Sequence, residues 1–168
     1  YMFNAVKRVQ EKGLTNIRCF EPQDTGLLWG VYKNGRLPQL AKGLKAEEFS
    51  GHIQFLIGSH NSHWIVEDSG VAVGAMFIRT DGWTIQPHVE FFKGVSPAAI
   101  YRSYMTFFSD LKGKDFQGQC EVRCLENVRG VFNRMVMRGV LEYVGEIKEG
   151  SPSGTLYIYC SNKKGVQL

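Results

Sequence analysis

The segment Val71–Lys114, VAVGAMFIRTDGWTIQPHVEFFKGVSPAAIYRSYMTFFSDLKGK, reads as strand, tight turn, strand, short loop and helix. Asp81-Gly82 separates two β-rich runs, and Asp-Gly is a pair that accepts positive φ at both central positions of a type I′ hairpin turn. The first run, Val71–Arg79, is apolar on both faces: Val71, Val73, Ala75 and Phe77 on one, Ala72, Met76 and Ile78 on the other. Such a strand is expected to be covered on both sides. The second run, Trp83–Phe92, alternates. Trp83, Ile85, Val89 and Phe91 point one way, and Thr84, Gln86, His88 and Glu90 the other. Pro87 interrupts it. Having no N–H, it predicts a bulge or a pairing gap on one side of the strand. Beyond Gly94, Ser96 and Pro97 fit a helix N-cap and first helical position. Ile100, Tyr104, Phe107, Phe108 and Leu111 then recur at helical spacing, up to Lys112-Gly113.

A strand whose pairing fails at Pro87 opens a slot in a sheet. The next helix begins where that slot opens, and the free N–H groups of its first turn attract anions. A phosphate-bearing cofactor with a thin, amide-containing arm suits such a place. An ordinary hairpin with a bulge and a packed helix accounts for the same residues.

The 168 residues are expected to form one domain, with residues 1–13 a helical arm and 161–168 a polar tail. Hydrophobic residues make up 43% and aromatic residues 12%, enough for a core and against disorder. The net charge of +4 is not gathered into a Lys/Arg run. That argues against a nucleic-acid partner and suits an anionic ligand without demanding one. None of the four cysteines forms a CxxC pair, which removes zinc-knuckle and thioredoxin-type motifs. Cys120 and Cys124 fall on one face of a strand as small buried hydrophobes. A reducing compartment, the cytoplasm, fits best. No stretch approaches the length of apolar residues that a membrane span needs, and no secretion signal is read.

Around the central segment, Phe3–Lys12 has a helical look and Asn16–Phe20 reads as a strand. Asp24-Thr25 fits the cap of a helix that Asn34-Gly35 ends, Lys45–Ser59 is a second helix, and His63–Glu67 a strand. Downstream, Gln119–Leu125 is a strand, Asn127 and Gly130 mark a loop, and Val128–Arg138 is a helix with Gly139 just past its end. Leu141–Lys148 and Thr155–Cys160 are the last strands. The order β-α-α-β-β-β-α-β-α-β-β is neither a regular βα alternation nor an all-β sandwich. It predicts an α/β (α+β) fold: a mixed, mostly antiparallel twisted sheet of about seven strands with helices on both faces.

This order resembles the GNAT superfamily of acetyl-CoA-dependent N-acyltransferases. In that family a fourth strand splays from the fifth, and the helix after it binds the cofactor's pyrophosphate. The strand with Pro87 and the helix starting at Ser96-Pro97 take those places, and Asn127–Val140 resembles the family's later helix. The resemblance implies transfer of an acetyl or other acyl group from acyl-CoA to an amine by direct attack. Backbone groups of Val89, Glu90, Phe91 and Phe92 would then hold the pantetheine amides. Lys93, Gly94, Val95, Ser96, Ala98 and Ala99 would hold the pyrophosphate, and His88 or Glu90 would deprotonate the acceptor. Two departures stand out. The family's Gln/Arg-x-x-Gly-x-Gly/Ala loop is reduced to one glycine, Gly94, and Met135 stands where a proton-donating Tyr is common; Tyr101 and Tyr143 lie elsewhere. Similar erosion is found in GNAT-like proteins of tailed bacteriophages, so a non-catalytic structural or virion protein is the alternative, with virion partners or self-association.

Each candidate has a plainer reading. His88 and Glu90 also fit a solvated strand face, and Arg79 and Lys93 ordinary surface charge. His60-x-x-His63 lacks a third ligand and fits a turn, so no metal is expected. Trp29, Trp64, Trp83 and the Phe107-Phe108 pair fit a core. A basic nucleic-acid module is the weakest reading. The acceptor is not identified by the residues.

Overall fold

The computed structural model describes residues 15–113, 118–151 and 154–161. In chain order it contains β1 (Thr15–Cys19), α1 (Asp24–Lys33), α2 (Ala46–Ser59), β2 (Ser62–Asp68), β3 (Val71–Asp81) and β4 (Thr84–Phe91). These are followed by α3 (Pro97–Gly113), β5 (Gln119–Cys124), α4 (Glu126–Met137), β6 (Leu141–Ser151) and β7 (Gly154–Ser161). The expected helical arm lies outside the described residues. One mixed sheet runs β1-β2-β3-β4-β5-β7-β6, and only β4–β5 is parallel. That parallel pair requires a crossover, which α3 supplies.

Each face of the sheet carries its own core. On one, Met76, Ile78, Ile85, Cys120 and Val122 pack under Tyr104 and Phe108 of α3 and Phe132 and Met135 of α4. On the other, Ile65, Ala75, Phe77 and Phe92 pack against Leu28 of α1 and Phe49, Ile53 and Leu56 of α2. β3 feeds both cores, as its two-faced apolar pattern requires.

The β3–β4 connection differs from the expected turn by one residue. Asp81 pairs with Thr84, so the loop residues are Gly82 and Trp83, with φ of 54° at Gly82 alone. Positive φ at the first central position only is the II′ pattern, which places Gly first. Trp83 thus sits at the turn and is 74% exposed, not in the core; Trp64 is buried and Trp29 half-buried. The bulge is not at Pro87 either. The β3–β4 register runs unshifted from Asp81↔Thr84 to Gly74↔Phe91. It lies instead in β3 at Val73, where Val66↔Gly74 is followed by Glu67↔Ala72. This flips the β3 face pattern before Gly74, so Val73 packs with the α3/α4 core and Ala72 with the α1/α2 core.

Other boundaries moved for identifiable reasons. Asp24 does not cap α1. Its carboxylate accepts the Glu21 N–H and both terminal nitrogens of Arg18, and Gln23 is the N-cap residue. Asn127 and Gly130 lie inside α4, which starts at Glu126 after an uncapped Leu125. Gly139 ends α4 as expected. With φ of 72°, its N–H reaches the Val136 carbonyl and the Val140 N–H the Met135 carbonyl, a Schellman closure. Ser161, expected in the tail, is buried in β7 and accepts the Cys120 N–H through Oγ at 2.9 Å.

Candidate functional site

β4 is held on its two edges very unequally. Eight residue pairs join it to β3, and only Thr84↔Gln119 and Ile85↔Cys120 join it to β5. The reason can be read from the backbone. Alternate residues of a strand direct their N–H and C=O to opposite edges. Phe92 donates to the Val73 carbonyl, so the even-numbered residues of β4 face β3. The Trp83 carbonyl accepts from Gln119, so the odd-numbered residues face β5. Pro87 is odd-numbered. Its missing N–H falls on the β5 side, one rung beyond Ile85, where the parallel ladder stops. β3 loses nothing, because Ile78↔Pro87 is a pair without mutual hydrogen bonds.

Val89 and Phe91 therefore direct their backbone polar groups into the slot between β4 and β5. Those of Glu90 and Phe92 are directed to β3. The Phe91 carbonyl is reached by Gln39 Nε2 at 3.4 Å, a contact from the loop after α1.

The slot opens at the β4–α3 loop, where the donor inventory is short. The Lys93 N–H is taken by the Arg36 carbonyl, that of Val95 by Phe92, and that of Ala99 by Ser96 Oγ at 3.1 Å. Pro97 has none. The N–H groups of Gly94, Ser96 and Ala98 remain, exposed and with no hydrogen-bond partner among the described residues. Gly94 has φ of 91°, and a Cβ there would meet no atom within 4 Å. Glycine is thus required by backbone conformation, not by crowding within the chain. Across the seam, the guanidinium carbons of Arg134 in α4 and of Arg138, its C-cap residue, lie 6.0 and 5.6 Å from the centre of the Tyr101 ring. Tyr101 belongs to the second turn of α3, and its hydroxyl oxygen is buried without a hydrogen-bond partner among the described residues. Sequence reasoning missed this arginine pair. Its i, i+4 spacing on an amphipathic helix was the available signal.

His88 and Glu90 share the α1/α2 side of β4, with His88 Nε2 and Glu90 Oε1 3.2 Å apart. Glu90 is buried and His88 about half exposed. A carboxylate accepting from Nε2–H leaves His88 Nδ1 with the free lone pair. The His60 ring stands 6.1 Å from that of His88. His60 Nδ1 donates to the Leu56 carbonyl at 2.8 Å, so the neutral ring carries its lone pair on Nε2. Burial pulls the His60 imidazole below its ordinary range. The Leu56 bond opposes this, and His88, His63 and Arg79 add to the lowering. His63 Nε2 donates to the Ile57 and His60 carbonyls, so both histidines of the His-x-x-His pair serve the end of α2. Among the described residues no group of three His, Cys, Asp or Glu is placed to hold a metal. On the same face Glu121 of β5 pairs with Arg123 at 2.7 Å and accepts from Gln86 Nε2 at 3.4 Å, closing the lower end of the seam.

Three of the four cysteines are buried, and Cys19 is exposed. The Cys124 thiol is pushed up to about 12, chiefly by desolvation, and Cys120 and Cys160 are raised for the same reason. Met135 is fully buried, and burial also raises the Tyr104 phenol. No helix among the described residues is long and apolar enough to cross a membrane.

No family profile matches the sequence, and no curated protein matches it. Solved structures do match. A protein of Chromobacterium violaceum assigned to the GNAT acetyltransferases superposes with a TM-score of 0.70 at 10% identity, covering 94% of each chain. A GNAT-family acetyltransferase from Bacillus anthracis gives 0.60 at 16% identity, covering 92% of this chain and 98% of its own. A ribosomal α-N-protein acetyltransferase in complex with coenzyme A gives 0.63 at 14%, covering 88% and 93%. Nothing in these likenesses supports a bacteriophage origin or a virion role. The mixed seven-stranded sheet, parted between β4 and β5 and flanked by helices on both faces, is the GNAT fold.

Proposed function

We propose that this protein is an N-acyltransferase that moves an acetyl or related acyl group from acyl-CoA to an amine. The observation that carries the reading is the one-sided end of pairing at Pro87, with the Gly94, Ser96 and Ala98 N–H groups free at the mouth of the slot it opens. Acyl-CoA would supply a thioester carbonyl for attack. The Val89 backbone would hold the amide-bearing arm in strand fashion, with Phe91 beside it. The free N–H groups and the N-terminal end of α3 would take the pyrophosphate, with Lys93, Arg134 and Arg138 as nearby cations. A structural neighbour solved with coenzyme A shares the fold, which favours this choice of ligand.

The acceptor amine would enter from the α1/α2 side, where His88 and Glu90 stand. His88 Nδ1 would take the amine proton as the C–N bond forms and the C–S bond breaks, and Glu90 would fix the ring through Nε2. Met135 cannot donate a proton, so water would protonate the departing thiolate. A thiolate of ordinary pKa, about 8.5, leaves without an acid catalyst.

Acetyl-CoA at about 100 times its dissociation constant should stabilise the fold by roughly 2.7 kcal/mol, an increase in melting temperature that scanning fluorimetry reads directly. Acyl transfer should fall at least about tenfold in His88→Ala. No thermal shift and no heat of binding at millimolar acetyl-CoA would end the enzyme reading and leave a non-catalytic GNAT-like protein.

A further inference from the structure

A second cavity, of about 760 Å³, lies beside α1 and under the loop that follows it. Its size is that of a small-molecule pocket, for which roughly 300–1,000 Å³ is usual. Trp29 and Tyr32 form its aromatic wall, stacked with centroids 5.5 Å apart and planes at 22°. Lys33, Lys42 and Lys93 line it, and no acidic side chain does. None of the three lysines is paired with a carboxylate among the described residues.

The pocket is built, not incidental. Gly35 and Gly43, with φ of 68° and 81°, turn the loop at its two ends. Tyr32 Oη locks the far side, donating to the Ala41 carbonyl at 2.9 Å and accepting the Leu44 N–H at 2.7 Å. The near side is tied to the candidate cofactor loop. The Lys93 N–H reaches the Arg36 carbonyl at 2.8 Å, and Arg36 Nε reaches the Lys93 carbonyl at 3.3 Å. The cavity therefore abuts the β4–α3 loop. Lys93 follows Glu90 by three residues, just past the end of β4.

We propose that this cavity recognises the acceptor, and that it selects a primary amine with an aromatic body and an oxyanion, carboxylate or phosphate, at the far end. The inference rests on the acyl-transfer reading. Two lysines, Lys33 and Lys42, lining a cavity with no acidic wall favour a negative group. The Trp29-Tyr32 wall favours a flat ring.

Isothermal calorimetry with para-(aminoethyl)benzoate, tyramine O-phosphate and the neutral isostere para-(aminoethyl)benzamide tests this on the intact chain. At least one anion should bind about tenfold or more tighter than the amide, and the tighter of the two identifies the oxyanion. The preference should weaken in high salt and in Lys33→Gln/Lys42→Gln, and persist in Lys33→Arg/Lys42→Arg. With acetyl-CoA present, the preferred anion should also be acetylated faster than the amide. Equal binding of amide and anions, or a preference untouched by the glutamine pair, would overturn the proposal. Acetyl-CoA stabilisation without anion preference would remove this inference and leave acyl transfer standing. Anion preference without any response to acetyl-CoA would remove acyl transfer, and with it the cavity's role as acceptor site.

Discussion

The two edges of β4 are made of the same eight residues and behave oppositely. Toward β3 every residue from Thr84 to Phe91 is in register, while toward β5 pairing stops after Ile85. Hydrophobicity does not separate them, since Met76 of β3 and Cys120 of β5 are both fully buried. What separates them is one absent N–H and its direction. A proline at an even-numbered position would have damaged the β3 ladder. At position 87 it leaves that ladder whole and opens the other side. The slot is thus made by withholding a hydrogen bond, which needs a strand well enough held on its remaining edge to tolerate the gap.

The closed edge should be the more sensitive to bulk. A Cβ on Gly74 would lie 2.8 Å from the Glu90 carbonyl oxygen and 3.3 Å from Phe91 Cα, both backbone atoms that cannot rotate away. Gly74→Val should therefore lower unfolding stability by about 2–3 kcal/mol in urea titrations. A variant as stable as the wild type would show that β4 moves freely, against the contrast drawn between its edges. The open edge should respond in binding rather than stability. Pro87→Val restores a donor aimed at β5, inviting another rung. Acetyl-CoA affinity should fall about tenfold, or about 1.4 kcal/mol by calorimetry, with a smaller change in unfolding stability. Unchanged affinity would mean that proline does not hold the slot open. Ser96→Ala comes next. It removes the cap on the Ala99 N–H and should cost about 1 kcal/mol of stability. The same change frees a fourth donor at the slot mouth, so acetyl-CoA affinity should fall less than stability does.

Much of this contrast can be read in the residues, but not all of it. Pro87, the Ser96-Pro97 helix start and the face that puts His88 beside Glu90 all follow from local rules: a missing donor, a cap and a period of two. The edge on which Pro87 fails depends on which neighbour its nitrogen faces, and that is fixed by register with β3. Register turned on Gly82 leading the turn in place of Asp81, a difference of one residue that also exposed Trp83. The bulge at Val73 was hidden for a related reason. An apolar strand covered on both faces shows no break in pattern when an extra residue flips its phase. Arg134 and Arg138 come beside Tyr101, and Gln39 to the Phe91 carbonyl, from elements distant in sequence, and only tertiary packing brings them there.

The smallest effect concerns how α3 is tied to the closed half of the sheet. Arg102 of α3 donates to Asp68 at the end of β2 through Nε at 3.1 Å and a terminal nitrogen at 2.8 Å, while Thr15 of β1 donates to the same carboxylate at 3.0 Å. The Arg102 hydrogen bond holds the Asp68 carboxyl below the usual carboxylate range; partial burial opposes this and the Thr15 bond assists. Arg102 is nearly half exposed, so solvent screens the pair and its contribution should stay below about 1 kcal/mol. The sign follows from the depressed pKa. Stabilisation is fully present above the unfolded-state value of about 3.9, and is lost as pH falls through the lower folded value. Asp68→Asn should thus be slightly less stable than the wild type at neutral pH. The difference should hold down to about pH 4 and close at lower pH. Acetyl-CoA affinity should change little, because the Gly94, Ser96 and Ala98 donors are set by the loop and the Ser96 cap, on the slot side of the helix. If the gap between variant and wild type stayed constant into acid, the Asp68 contribution would come from shape and neutral hydrogen bonding. If affinity dropped with stability, α3 would depend on its anchor in the closed half to present those donors, and the two edges of β4 would be coupled through the helix.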